Sequence, residues 1–284
     1  MKLLLPYLAI CLIWGSTWLG IKLGLAGVPP FLGAGLRFLL ASLIFFLFVF
    51  LRRTPILLGP KGRKSVLSAG ILGFTLSYGL IYWAEQYIPS GLTAILFSTM
   101  PLAVALLSHW TGAEFLSWGR TLGIAVGMAG TAVLFWTMGP LSASGIWAMG
   151  AVLLSSLVSA VNLVLLKRFS REMDVYLLNA LGMGIGASIL LGCSHFLEGN
   201  RGVVWSRENV LALLYLSFFG SVVAFHIYYS LIKTVSATFL STITLLFPVV
   251  AVALGWVVLG ERMDLRMACG TILVLAGVGV ALRA

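Results

Sequence analysis

Four short stripes in this chain carry side chains suited to holding a small solute. Trp14, Trp18 and Lys22 recur every four residues, and Tyr78, Tyr82 and Glu85 follow at i, i+4 and i+7 with Gln86 beside them. Ser155, Ser159 and Asn162 make a polar stripe, and Phe225, His226 and Tyr229 an aromatic one. Residues three or four apart share one face of a helix, so each stripe presents its groups together. Aromatic rings offer apolar area and π faces, while a hydroxyl or amide placed in lipid needs a hydrogen-bond partner. The substrate-binding candidates are therefore Trp14, Trp18, Tyr78, Tyr82, Asn162, Phe225, His226 and Tyr229. Each has a plainer alternative: tryptophans pack, serines let helices approach closely, and a histidine can join two helices.

Three ionisable residues, Lys22, Arg37 and Glu85, fall within apolar stretches or at their edges. Charges there are expensive and mark function or pairing. Together they suggest an ion-pair network that gates one side of the membrane. Glu85 and His226 are the candidates for a coupling proton. Pro101 and Pro248 lie in mid-stretch, where a missing backbone donor kinks a helix. Ser98 and Thr99 precede the first, and Thr242 and Thr244 the second.

Enzymatic chemistry finds no support. His109, His195 and His226 belong to different stretches at different depths, and HExxH, GxSxG and a membrane-buried pair of acids are all missing from the sequence. The phosphate loop GxxxxGK[ST] is missing too, so no ATP site and no cofactor is expected. Cys11, Cys193 and Cys269 are scattered, form no CxxC, and read as small buried hydrophobes rather than metal or redox groups. Glu114 and Glu261 precede helix starts by three residues and read as loop anchors or partners of the adjacent positive helix end.

The elements that must position these residues follow from composition. Of 284 residues, 61% are apolar and 9% charged, less than half the charged share of a soluble domain. Mean hydropathy is +1.09. A disordered chain, a coiled coil and a disulfide scaffold are excluded, and a polytopic membrane protein remains. About 20 apolar residues span a bilayer. Ten stretches qualify: Pro6–Leu25, Phe31–Leu51, Ser65–Ala84, Ser90–Trp110, Trp118–Thr137, Ser144–Leu166, Asp174–Leu197, Glu208–Ile232, Val235–Leu259 and Asp264–Leu282. Their continuous apolar character calls for helices, not a barrel. The expected fold is an all-α integral membrane protein whose first span is retained, not cleaved as a signal peptide.

The net charge of +10 reports orientation. With both termini cytoplasmic, Lys2, Arg52, Arg53, Lys61, Arg63, Lys64, Arg120, Lys167, Arg168, Arg171, Lys233 and Arg283 lie inside, and Arg201, Arg207, Arg262 and Arg266 outside. Positive-inside bias explains that division, so the partners are the lipid bilayer and a small-molecule substrate rather than nucleic acid.

The chain also repeats itself. Shifted by 147 residues, Gly73–Leu134 lies over Gly220–Ala281 without a gap, with nine identities in 62 positions. The matches include punctuating residues: Gly73 with Gly220, Tyr82 with Tyr229, Pro101 with Pro248, Glu114 with Glu261, Gly123 with Gly270 and Gly130 with Gly277. Ser117 and Asp264, both good N-cap types, also coincide. Two five-helix halves result, 1–137 and 144–284. Five crossings is an odd number, so the second half is inverted relative to the first, a plan that suits alternating access.

These residues resemble a known family. Trp14-Gly15-Ser16-Thr17 with Lys22, then Arg37, Tyr82-Trp83-Ala84, Ile88-Pro89-Ser90, Pro101, Glu114, Gly123 and Gly130, look like the EamA type of the drug/metabolite transporter superfamily. Tyr229, Pro248, Glu261, Gly270 and Gly277 take the equivalent places in the second half. The resemblance implies a ten-span inner-membrane carrier, of a kind that often exports amino acids and related metabolites. Ser159 stands where an aromatic residue is common. A helix-bundle receptor or structural subunit without transport is the competing expectation. A cavity of aromatics with Asn162 and His226 suits a small zwitterion or apolar amino acid better than a phosphate, which would want clustered Arg or Lys. Solute identity, flux direction and oligomeric state stay open.

Overall fold

The computed structural model describes residues 4–112, 118–137, 142–199, 202–248, 250, 254, 257–258, 260 and 265–283. Glu114, Ser117, Glu261 and Asp264 lie outside the described residues, as do Lys2, Arg201 and Arg262. The chain is all-helical. We number the helices α1 (Leu4–Gly24), α2 (Pro30–Leu51), α3 (Pro60–Ala84), α4 (Ser90–Trp110), α5 (Trp118–Thr137), α6 (Ala143–Phe169), α7 (Val175–Leu197), α8 (Arg207–Leu231), α9 (beginning Ala237–Ser241) and α10 (Leu265–Arg283). Seven of these, α1–α4 and α6–α8, are long and apolar enough to cross a membrane. The apolar cores of α5 and α10, Thr121–Val133 and Ala268–Val280, correspond at the 147-residue shift.

Local chemistry sets the helix starts. In the first half, α2 and α3 begin on prolines, where a missing N–H costs nothing. In the second half, side chains cap the free amides: Ser142 accepts from Gly145, Asp174 from Leu177, Ser206 from Asn209 and Ser236 from Phe239. Two expected boundaries move for this reason. Helix α3 starts at Pro60 instead of Ser65, carrying Lys61, Arg63 and Lys64 in its first turns. Helix α9 starts after the Ser236 cap instead of at Val235.

Neither α3 nor α8 is a regular helix throughout. Ser68–Ser77 and Phe218–Val223 are π-helical, and at the repeat shift the second falls within the first. In each, a hydroxyl reaches back five residues to a carbonyl: Thr75 to Gly70 at 2.8 Å and Ser221 to Leu216 at 2.9 Å. The proline helices are interrupted as well. Helix α4 breaks at Ser98–Thr99, just before Pro101, and α9 tightens into a 3₁₀ turn over Thr242–Leu245, just before Pro248.

Packing follows the repeat. Helix α1 packs on α8 and α9 of the other half, as α6 packs on α3 and α4. Helices α2 and α7 pair with each other, as do α5 and α10. The α5–α10 contact depends on glycine: a Cβ on Gly130 would lie 2.6 Å from the Val274 amide nitrogen. The cysteines are free, with Cys11 buried, Cys193 intermediate and Cys269, contrary to the buried reading, exposed on α10.

Candidate functional site

A cavity of about 80 Å³ lies between the halves. Its walls come from α1, α3, α4 and their repeat mates α6, α8 and α9, while α2, α5, α7 and α10 contribute none of the lining among the described residues. Helix α1 supplies Trp14, Thr17, Trp18 and Ile21, and α8 supplies Phe225, Tyr228 and Tyr229. Helix α3 supplies Gly73, Ser77, Tyr78 and Ile81, and α6 supplies Ser159 and Asn162. Phe97 and Met100 of α4 face Leu240, Ser241, Ile243, Thr244 and Phe247 of α9.

The two sides differ in chemistry. On one, the Trp14 ring lies 4.9 Å from Phe225 and 5.0 Å from Tyr228, and the Trp18 ring lies 5.5 Å from Phe97. These tilted and edge-on contacts are favourable arrangements of ring quadrupoles. On the other, the Ser77 hydroxyl bonds to Ser155 at 2.8 Å and Ser159 at 2.7 Å, and Ser68 donates to Asn162 Oδ1 at 2.8 Å. The lining carries no charged side chain among the described residues.

The two tryptophans of α1 have different attachments. Trp14 Nε1 donates to the Gly220 carbonyl at 3.0 Å. Trp18 Nε1 is buried and has no hydrogen-bond partner among the described residues. Of the other predicted binding residues, Tyr78, Asn162, Phe225 and Tyr229 line the cavity. Tyr82 faces a smaller groove with Gly33, Asn209 and Leu216. His226 rests on the Tyr176 ring at 4.7 Å, away from the cavity. One residue of rotation, about 100°, separates His226 from Phe225, so the face shared by Phe225, Tyr228 and Tyr229 turns it outward.

Arg37 is fully buried. Its Nε donates to Ser221 Oγ at 2.8 Å, its Nη2 to the Gly220 carbonyl at 3.0 Å, and its Nη1 approaches the Tyr82 hydroxyl at 3.5 Å. The guanidinium also lies 5.0 Å from the Tyr78 ring centroid. Arg37 thus ties α2 to the π segment of α8 from behind the cavity wall. Glu85 is fully buried at the end of α3. Lys22 meets it through the backbone, Nζ donating to the Glu85 carbonyl at 2.6 Å and to the Ile88 carbonyl at 3.0 Å.

Several site residues carried no stripe in the sequence. Tyr228 was masked by its neighbour in an aromatic run, and Phe97 and Phe247 sit in apolar context. Glu198 carries no sequence signal either: its two carboxylate oxygens accept from Phe31 N at 2.8 Å and Leu32 N at 3.0 Å, holding the start of α2 from the far end of α7.

The chain matches the EamA-like transporter family twice, over residues 2–136 and 146–283. It is 27% identical over 278 residues to the uncharacterized transporter YoaV of Bacillus subtilis, covering 98% of this chain and 95% of that one. It is 32% identical over 263 residues to the uncharacterized inner membrane transporter YedA of Escherichia coli K12, covering 90% and 82%. A solved crystal structure, 20% identical, shares the fold with a TM-score of 0.73 over 99% of this chain and 97% of the other.

Proposed function

Because the chain belongs to the EamA-like transporter family, we propose that this multi-pass membrane transporter exports amino acids or similarly sized amphipathic metabolites by alternating access. The observation that carries the solute class is the division of the cavity into an aromatic wall and an uncharged polar seam. A small zwitterion or apolar amino acid lays its side chain or ammonium on Trp14, Trp18 and Phe225. Its carboxylate takes hydrogen bonds from Asn162 and from tyrosine hydroxyls. A phosphorylated metabolite has no arginine or lysine to meet there.

In this reading the two units are residues 1–137 and 144–284, and Lys22, Arg37 and Glu85 belong to the gate on one side. The breaks beside Pro101 and Pro248 supply bending points. The protein sits in the inner membrane, as the name of YedA suggests, with both termini cytoplasmic as the distribution of basic residues favours. Protonation of Glu85 or His226 is the route by which a proton gradient would drive export.

The test is efflux from proteoliposomes loaded with hydrophobic or aromatic amino acids, set against a sugar phosphate. Amino-acid efflux that falls in Asn162→Ala is expected. Efflux of the phosphate alone, unaffected by that substitution, overturns the assignment.

A further inference from the structure

The cavity has two walls, and neither coincides with a repeat. Helix α1 packs chiefly on α8, forming one wall; α6 packs on α3 and α4, forming the other, and α9 touches α1, α4 and α6. One lysine joins the walls at each end. Lys22, near the end of α1, donates to the carbonyls of Glu85 and Ile88 in the α3–α4 turn. Lys167, near the end of α6, donates to the carbonyl of Ile232 at 2.7 Å and to that of Val235 in the α8–α9 turn. The acceptors are repeat mates: Glu85 and Ile88 shifted by 147 become Ile232 and Val235.

Connectivity puts the two joints on opposite sides. Helix α1 crosses once before Lys22; four further crossings separate that end from the start of α6, and Lys167 comes after one more. The chemistry is the same at both ends. At each joint one acceptor, Glu85 or Ile232, is a helix C-cap, where the carbonyls lack intrahelical partners and carry the negative end of the dipole, and the other, Ile88 or Val235, lies in the turn that follows; an ammonium bonds both. Both joints are made in this structure.

We propose that Lys22 and Lys167 are reciprocal latches of the transport cycle, each closing one end of the cavity by gripping the hairpin tip of the opposite wall. Opening toward one side requires the lysine there to release its two carbonyls while the other holds. Lys167 is thereby a positioning residue for transport, although it touches no part of the cavity. The inference rests on alternating access but not on the identity of the solute.

The experiment reads accessibility instead of flux. In a background with Cys11, Cys193 and Cys269 replaced, a single reporter, Met100→Cys in the cavity, is labelled by an impermeant maleimide from either face of oriented vesicles. Control cysteines at Ala26 and Glu172, in loops at the two ends, identify the faces. Lys22→Met is expected to raise labelling from the Lys22 end about tenfold, the size of a charged hydrogen bond expressed as a population ratio, and to lower it from the other end. Lys167→Met does the reverse. Lys22→Arg and Lys167→Arg restore the original balance. If a Met variant fails to fold, the milder Lys→Gln pair is read for the same opposite signs. Shifts toward the same face in both variants, or no shift in either, overturn the proposal. Amino-acid efflux tested in parallel judges the solute separately, since the latch signs need no substrate.

Discussion

The amide of Asn162 occupies space that only a glycine at position 73 leaves open: a Cβ there would lie 2.8 Å from Asn162 Nδ2. The repeat mate of Gly73 is Gly220, where a Cβ would lie 2.8 Å from Thr17 Cγ2. Each π segment therefore receives a side chain from the first helix of the other half.

Gly73→Ala is expected to push Asn162 out of its seat and break its bond with Ser68. Overpacking of this kind costs about 1–3 kcal/mol, visible as a lowered melting temperature in detergent. Loss of solute binding greater than that of Gly79→Ala on the same helix would tie the effect to the cavity.

Trp14 and Trp18 should separate stability from recognition. Trp14→Phe removes the donor to the Gly220 carbonyl, although Arg37 still donates to it, and is expected to cost about 1 kcal/mol. Trp18→Phe forfeits no hydrogen bond among the described residues, so its melting temperature should stay close to that of the parent while counterflow of an aromatic amino acid changes. Equal melting losses in both variants would contradict this division.

Arg37 invites a comparison of Lys with Met. Two of its three acceptors keep other donors or bonds when it is removed: Gly220 retains Trp14, and Ser221 still bonds to Leu216. Lysine keeps the buried charge but loses the fork that reaches three groups. Arg37→Lys is therefore expected to be less stable than Arg37→Met by about 2 kcal/mol, because an incompletely paired buried charge costs more than none. Thermal melts of the two variants decide it.

Glu198 is a cap placed by the fold and not by its own helix. Glu198→Ala should leave the Phe31 and Leu32 amides unsatisfied and cost about 1–2 kcal/mol. Faster hydrogen exchange confined to the first turn of α2, with solute affinity retained, is the expected outcome.

The helices and their duplication were legible because span length and punctuating residues survive in one dimension. Pro101 and Pro248, for example, mark breaks that end within three residues of them. The candidate site was legible where a polar or aromatic stripe ran at α-helical spacing, as with Trp14 and Trp18. It was not legible where the backbone departs from that spacing. A π segment inserts extra residues per turn and rotates the facing of every later residue in its helix, and neither Ser68–Ser77 nor Phe218–Val223 carries a residue that announces it. Lys167 resembles any other basic residue at a span end; only its acceptors, shared in register with those of Lys22, distinguish it.

The interleaved walls bear on how the protein is made. When α5 has left the ribosome, α1 still lacks α8 and α9, and α3 and α4 still lack α6. The first five helices are then inserted without these partners, and Ser77 and Arg37 lack the Ser155, Ser159 and Ser221 hydroxyls they bond to in the finished fold. The nascent chain completes its interior only as α6 and then α8 arrive. Two such five-helix units synthesised separately would meet the same need by taking opposite orientations and closing around each other.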